Sequence, residues 1–406
     1  MGCCLSCCPT ETSRRRLLTD SEKVHAAHEK SPPETHKSPT QSSFQWKDGV
    51  AGQPNSQLEL DLDFRAIKGV HFMCNGGMCS IYKATFKGMP CVVKMPRSDC
   101  AQPEVACRDL ETEIKILSHI QHPNIIRLMA AGYVSPMDID GDGREAGDFK
   151  DLRDAAKRFA VLEYLDGGTL ADMLGVGAQQ NEGVVESLRR WHQGWNFPWR
   201  RALESAAQLA SALRYLHNEA IAGCVIIHRD LKPDNVGFQS NCLKLFDFGL
   251  AKCVDASPDE DQVDERYKMT PETGSLRYMS PEVSLQYPYG AAVDVYSFGL
   301  VAWEMLCLRR VFEEVGRKDF SATVTKGGRR PRLKEEWSPQ LKSLLTSCWA
   351  ADDDSRPGFR EIERELKGML GEFRSNDDFE DIGEVELTQV APAQFDTIEK
   401  GARDLI

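Results

Sequence analysis

Nowhere in this chain of 406 residues do about 18 apolar residues follow one another, so no helix long enough to span a bilayer is expected. The first sixteen residues also lack the apolar run of a secretory signal, and none is expected. Positive charge is in short supply: 50 Lys and Arg stand against 62 Asp and Glu, a net charge of -12. An acidic chain without a basic stripe is not built for nucleic acid, and no nucleic-acid partner is expected. No internal repeat is present. Cysteine, by contrast, is plentiful at 14 residues. Nothing points to an oxidising compartment, so these cysteines are expected to be thiols rather than bridges.

What is present suffices for a packed core: 41% of residues are hydrophobic, and the length allows one large domain or two ordinary ones. Residues 1–60 carry SPPETHKSPTQSS, without periodicity, and read as a disordered leader. They hold seven acids and seven bases. Residues 371–406 hold ten Asp/Glu and three Arg/Lys and read as an acidic, solvated tail. Between them, residues 61–370 change texture. DFRAIKGVHFM, SIYKATFK and MPCVVKM predict an antiparallel three-strand meander, parted by NGG and KGMP turns. Val105, Leu110, Ile114 and Leu117 have helical spacing, and two strands, IIRLMAAGYV and RFAVLEYL, follow. From Trp199 the pattern turns helical: WRRALESAAQLASALRYLH, VDVYSFGLVAWEML, PQLKSLLTSCW and FREIERELKGML. A strand-rich part before a helix-rich part predicts two lobes of α+β character.

The chemistry concentrates in IIHRDLKPDNVGFQSNCLKLFDFGLAK. With SPE, DVYSFG and CW…RP following in order, the sequence resembles the eukaryotic protein kinase family from about residue 66 to 370. The resemblance implies a bilobal kinase fold, with a strand-rich N-lobe (about 61–165) holding one main helix and a helical C-lobe (about 166–370). It implies ATP and Mg²⁺ as cofactors and a protein as substrate. Phosphoryl transfer needs phosphate charge neutralised, a metal held and an acceptor hydroxyl oriented. By resemblance, Asp230 of HRD is the base and Lys232 reaches the transferring phosphate. Asn235 and Asp247 offer hard oxygens suited to Mg²⁺. Lys94 binds the α- and β-phosphates and pairs with Glu113, nine residues before His122.

The loop that covers the phosphates departs from the family's G-x-G-x-x-G-x-V. Here it reads Cys74-Asn75-Gly76-Gly77-Met78-Cys79-Ser80-Ile81, following Met73, and keeps the middle glycine with Gly77 beside it. Glycine lets backbone approach phosphate without a Cβ, so the change bears on ATP affinity. Val92 stands over the adenine where Ala is usual. The resemblance also implies that Leu162 is the gatekeeper and that the Glu163 carbonyl and the Leu165 backbone would bond adenine. Cys74 and Cys79 read either as small loop residues or as redox-sensitive thiols.

Lys232 within HRDLKPDN favours Ser/Thr specificity. YMSPE, DVYSFGLVAWEML and CWAADDDSRP resemble the tyrosine-kinase-like group of Ser/Thr kinases, with dual specificity open. The activation segment runs from Asp247 to Glu282. Thr270, which precedes Pro271, is the expected activating phosphorylation site, ahead of Thr273 and Ser275. Glu282 is expected to pair with Arg356. Intact Lys94, Glu113, Asp230, Asn235 and Asp247 favour an active enzyme. The altered glycine loop favours the alternative, a membrane-anchored pseudokinase scaffold. A lipid or small-molecule kinase is the third reading, against which SPE and the long activation segment speak.

DIDGDG at 138–143 resembles the start of a calcium loop, but its twelfth position is Phe149, not an acid, so it reads as a surface insert. Trp191, Trp195 and Trp199 mark a second insert, read as core packing ahead of a docking patch. The N-terminal MGCCLS fits a myristoylation signal at Gly2. One myristoyl chain binds membranes with a constant of only about 10⁴ M⁻¹, so a second signal is needed. Cys3, Cys4, Cys7 and Cys8 are palmitoylation candidates, and Arg14, Arg15 and Arg16 could add about 1 kcal/mol each on an anionic leaflet. A CC-x-x-CC metal site and chance are the rivals. The expected address is the cytoplasmic face of a membrane, with the inner leaflet as lipid partner.

Overall fold

The computed structural model describes residues 58–135, 157–175, 198–255, 267, 269 and 273–375. Gly2, Cys3, Cys4, Cys7, Cys8, the DIDGDG segment, Trp191, Trp195 and Thr270 lie outside the described residues.

Short alternating runs build one six-stranded sheet. Its strands are β1 (Glu59–Asp63), β2 (Lys68–Asn75), β3 (Cys79–Phe86), β4 (Met89–Pro96), β5 (Leu128–Val134) and β6 (Lys157–Glu163), ordered β1-β5-β6-β4-β3-β2. The expected meander is β2–β4, antiparallel throughout. β1 differs from expectation: it starts inside the leader and pairs in parallel with β5. DFRAI, read as strand, instead ends β1 and makes a 3-10 turn at Phe64–Ala66. Gly132 allows the β1 contact, since a Cβ there would lie 2.1 Å from the Leu62 carbonyl.

Side chains alternate across a strand, so β6 serves two cores. Phe159 and Val161 join Tyr82, Phe86 and Val93 on one face, while Ala160 and Leu162 face the core shared with the helices. Because Val93 belongs to the first face, Lys94 falls on the second. α1 (Pro103–His119) lies there, with Pro103 in its first turn and Leu110, Ile114 and Leu117 buried. Val105 is only half-buried, and Ala106 takes the inner position.

The remaining helices are α2 (Leu170–Met173), α3 (Trp199–Asn218), α4 (Pro281–Ser284), α5 (Ala292–Cys307), α6 (Pro339–Cys348) and α7 (Phe359–Ser375). α5 is apolar nearly all round and is buried accordingly. α7 runs five residues beyond its apolar pattern, into the stretch read as tail. Two small ladders, β7 (Cys224–Ile227) with β10 (Lys252–Asp255) and β8 (Val236–Gln239) with β9 (Cys242–Leu245), frame the catalytic stretch. Trp199 packs on Trp337 with ring centroids 5.5 Å apart, which is core packing as expected. The ten cysteines among the described residues are free thiols. No helix of the described residues is long and apolar enough to cross a membrane.

Glu304 of α5 is fully buried, and burial pushes its carboxyl up to about 8. Its Oε1 accepts from Val311 N–H at 2.7 Å and from the Tyr278 hydroxyl at 3.1 Å. Unfolded, the group titrates near about 4.3, so between there and about 8 the folded chain holds a proton that the unfolded chain has lost. Stability therefore falls as pH rises through that window. Glu304→Gln keeps both acceptor contacts and removes the slope. Its Tm advantage over wild type should be small near pH 5 and widen towards pH 8, read by thermal melts across pH. A constant offset would refute this.

Candidate active site

The loop between β7 and β8 is fixed from below by α5. Asp294 accepts from the backbone N–H groups of His228 (2.8 Å) and Arg229 (2.9 Å) and bonds His217 Nε2 at 2.8 Å. Burial opposes the charge on Asp294, but the His217 bond holds its carboxyl below the ordinary value. Arg229, at φ 67, takes a left-handed backbone that these bonds enforce. The DVYSFG motif contains Asp294, but its spacing in sequence gives no hint of this anchoring role.

Asp230 sits on that platform with both carboxylate oxygens engaged. Oδ2 accepts from Lys232 Nζ at 2.6 Å and from Asn235 Nδ2 at 3.2 Å; Oδ1 accepts from the Ser275 N–H at 2.9 Å. Lys232 also donates to Ser275 Oγ at 3.1 Å. The activation segment thus closes onto the catalytic loop through Ser275. Gly274 permits the approach: its φ is +95, and a Cβ would lie 2.5 Å from the Arg229 carbonyl. Thr270, the expected phosphorylation site, has no described placement.

Across the cleft, Lys94 Nζ bridges Glu113 Oε2 at 2.7 Å and Asp247 Oδ1 at 2.8 Å. Burial alone would lower the Lys94 ammonium, but Glu113 and Asp247 outweigh it and hold it above the ordinary lysine value. Burial also acts against Asp247, yet Lys94 keeps its carboxyl below the ordinary range. The predicted lysine–glutamate pair is therefore formed, and Asp247, at φ 66, is drawn into it. Asn235 uses its amide N–H on the Asp230 carbonyl at 2.8 Å, which turns its oxygen the other way. That oxygen and the Asp247 carboxylate are hard donors of the kind a divalent cation takes.

The phosphate-covering loop spans the end of β2 to the start of β3. Gly76 N–H donates to the Cys79 carbonyl at 2.8 Å, and Ser80 Oγ to Asn75 Oδ1 at 2.9 Å, so Asn75 braces the loop. Met73 points its side chain to solvent. Cys79 is buried, and burial drives its thiol up to about 12, with Lys94 opposing; burial raises Cys74 too. Both stay protonated at neutral pH, in keeping with small loop residues rather than reactive thiols. Val92 and Leu162 are directly paired in the sheet, and Ile81 pairs with Lys94. The Glu163 side chain has a structural contact that sequence reasoning missed. It accepts from the Arg127 N–H and pairs with Lys244 at 2.9 Å. The expected brace is present as a bidentate pair: Arg356 meets Glu282 at 2.7 and 2.9 Å.

A lysine–glutamate–aspartate bridge facing an HRD aspartate, lysine and asparagine on a two-part α+β scaffold defines a phosphotransfer site. The protein kinase domain family matches residues 69–365, and the chain belongs to it. Membership brings general use of ATP and a divalent metal. Serine/threonine-protein kinase VIK of Arabidopsis thaliana is 30% identical over 312 residues, 76% of this chain and 60% of its own length. Serine/threonine-protein kinase STY17 of the same plant is 25% identical over 326 residues, 80% of this chain and 48% of its own. Mitogen-activated protein kinase kinase kinase 7 of Bos taurus is 26% identical over 329 residues, again 80% and 48%. This chain thus spans about half to three fifths of the length of these relatives.

Proposed function

We propose that the chain is a protein kinase that transfers the γ-phosphate of ATP, with Mg²⁺, to Ser/Thr hydroxyls of protein substrates at the cytoplasmic face of a membrane. The supporting observation is the closed network Asp230–Lys232–Ser275 opposite the Lys94–Glu113–Asp247 bridge. When bound, ATP supplies the phosphoryl group, and the cation neutralises phosphate oxygens. The chain's own residues do the positioning. Lys94, kept charged by its two carboxylates, serves the phosphates of ATP. Asp230 orients the acceptor hydroxyl and takes its proton, while Lys232 meets the transferring group's charge. Ser/Thr specificity is supported by Lys232 and by the names of the relatives. Membrane attachment is supported by MGCCLS and the nearby arginines.

The altered glycine loop favours the scaffold reading, and one experiment decides between the two. The full chain is incubated with labelled Mg-ATP and casein or myelin basic protein, followed by phosphoamino acid analysis. Labelled phosphoserine or phosphothreonine is expected. No transfer by a folded chain would leave the scaffold reading, and phosphotyrosine would overturn the specificity. Mass measurement of the N-terminal peptide from eukaryotic cells should show myristate on Gly2, and an unmodified terminus would remove the membrane address.

A further inference from the structure

Two of the three glycines expected in the phosphate-covering loop are cysteines here, and Cys79 is turned inward towards Lys94, Glu113 and Asp247. A side chain beneath the loop restricts how its backbone can settle, so the orientation of its peptides needs another determinant. Arg97, just past β4, provides one. Its backbone N–H donates to the Met78 carbonyl at 2.9 Å, and its Nη1 donates to the Gly76 carbonyl at 3.0 Å. The guanidinium is itself fixed, because Asp99 takes Nε at 2.8 Å and Nη2 at 2.9 Å in a bidentate fork. The hydrogen bond from Arg97 pulls the Asp99 carboxyl below its ordinary value, so the fork persists at neutral pH.

The consequence follows from peptide planarity. A carbonyl held on one side sends the N–H of the same trans peptide to the other. With the Gly76 oxygen held by Arg97, the Gly77 N–H faces away from it. A Cβ at Gly77 would meet nothing within 4 Å, so that backbone lies in open space. Carbonyl oxygens repel phosphate and N–H groups attract it. Flipping this peptide would exchange a donor for an acceptor at the loop tip.

We propose that Arg97, fixed by Asp99, is a positioning residue for ATP: it sets the peptide orientation of the phosphate-covering loop in place of the missing glycines. The proposal rests on the ATP-dependent reading above. Arg97→Met should raise KM for ATP, and the Kd for Mg-ATP by titration calorimetry, about tenfold, leaving KM for the protein substrate unchanged. Arg97→Lys can still reach one carbonyl but cannot form the fork, and should recover part of the loss. Asp99→Asn should show a smaller loss in the same direction. Hydrogen exchange at residues 75–79 should quicken in Arg97→Met. Unchanged ATP affinity would overturn the proposal. So would equal losses for ATP and protein substrate accompanied by a lower Tm. If the wild type transfers nothing, the kinase reading fails, while the calorimetric Kd still judges Arg97.

Discussion

Asp230→Asn is expected to lower kcat about a thousandfold or more while KM for ATP moves less than about threefold. The effect exceeds simple loss of a base. In the native site both oxygens of Asp230 accept from donors: Lys232 and Asn235 on one, the Ser275 N–H on the other. An asparagine has one oxygen and one NH₂. Whichever way it turns, a donor faces a donor. If the NH₂ meets Lys232, the lysine loses the partner that aims it at the transferring phosphate. If it meets Ser275, the activation segment loses a tie to the catalytic loop. Lys94, Glu113 and Asp247 are untouched, so nucleotide binding should persist. Steady-state kinetics with calorimetric ATP binding checks this. A variant keeping a tenth of wild-type kcat would show that the proton passes elsewhere.

Asp294→Ala carries the largest expected stability loss. It orphans two backbone N–H groups, that of buried His228 and that of half-buried Arg229, and leaves His217 without its carboxylate. Each stranded donor costs about 1–3 kcal/mol, so a loss of about 4 kcal/mol and about 10 °C in Tm is expected. Asp294→Asn should fall between, since one amide oxygen can serve one side. Asp294 has a depressed carboxyl pKa in the fold. Its stabilisation is therefore present above the ordinary carboxylate range and lost as pH falls through the folded value. The gap between wild type and Asp294→Ala should shrink in acid. Scanning fluorimetry from neutral to acid pH tests both points. A Tm shift under about 3 °C at neutral pH would show that other bonds carry the loop.

Most of this site is legible in the sequence because its chemistry is local. HRDLKPDN holds base, phosphate lysine and metal ligand within six positions, and DFG begins twelve residues after Asn235. Lys94 and Glu113 are further apart, and only the resemblance to the kinase family, which spaces such a glutamate nine residues before His122, makes their pairing legible. What escaped reading depends on long-range contact. Asp294 reaches a loop 65 residues upstream, and Lys244 meets Glu163 across the chain. Arg97 reads as an ordinary loop cation until the Gly76 carbonyl is seen beside it. Three of the four short ladder strands, β7, β8 and β10, escaped too, since so short a run has no period. β1 was missed for a different reason. LELDLD alternates, but its parallel partner lies about 70 residues on, past a helix.

That strand also determines how the domain meets mechanical load. Any pull on the chain ahead of β1 enters this sheet at Glu59. β1 is joined to β5 in register at Glu59↔Ala130, Leu62↔Gly132 and Asp63↔Tyr133, with an irregularity between the first two. Tension along the strand axis shears these bonds together, whereas tension across it opens them one at a time, beginning at the irregular end. Phe64 and Ile67, fully buried just beyond, form the stop that a peeling strand would next encounter. Lys94 stands on β4, three strands in from this edge, so a tug that strips β1 meets β5 and β6 before it reaches Lys94.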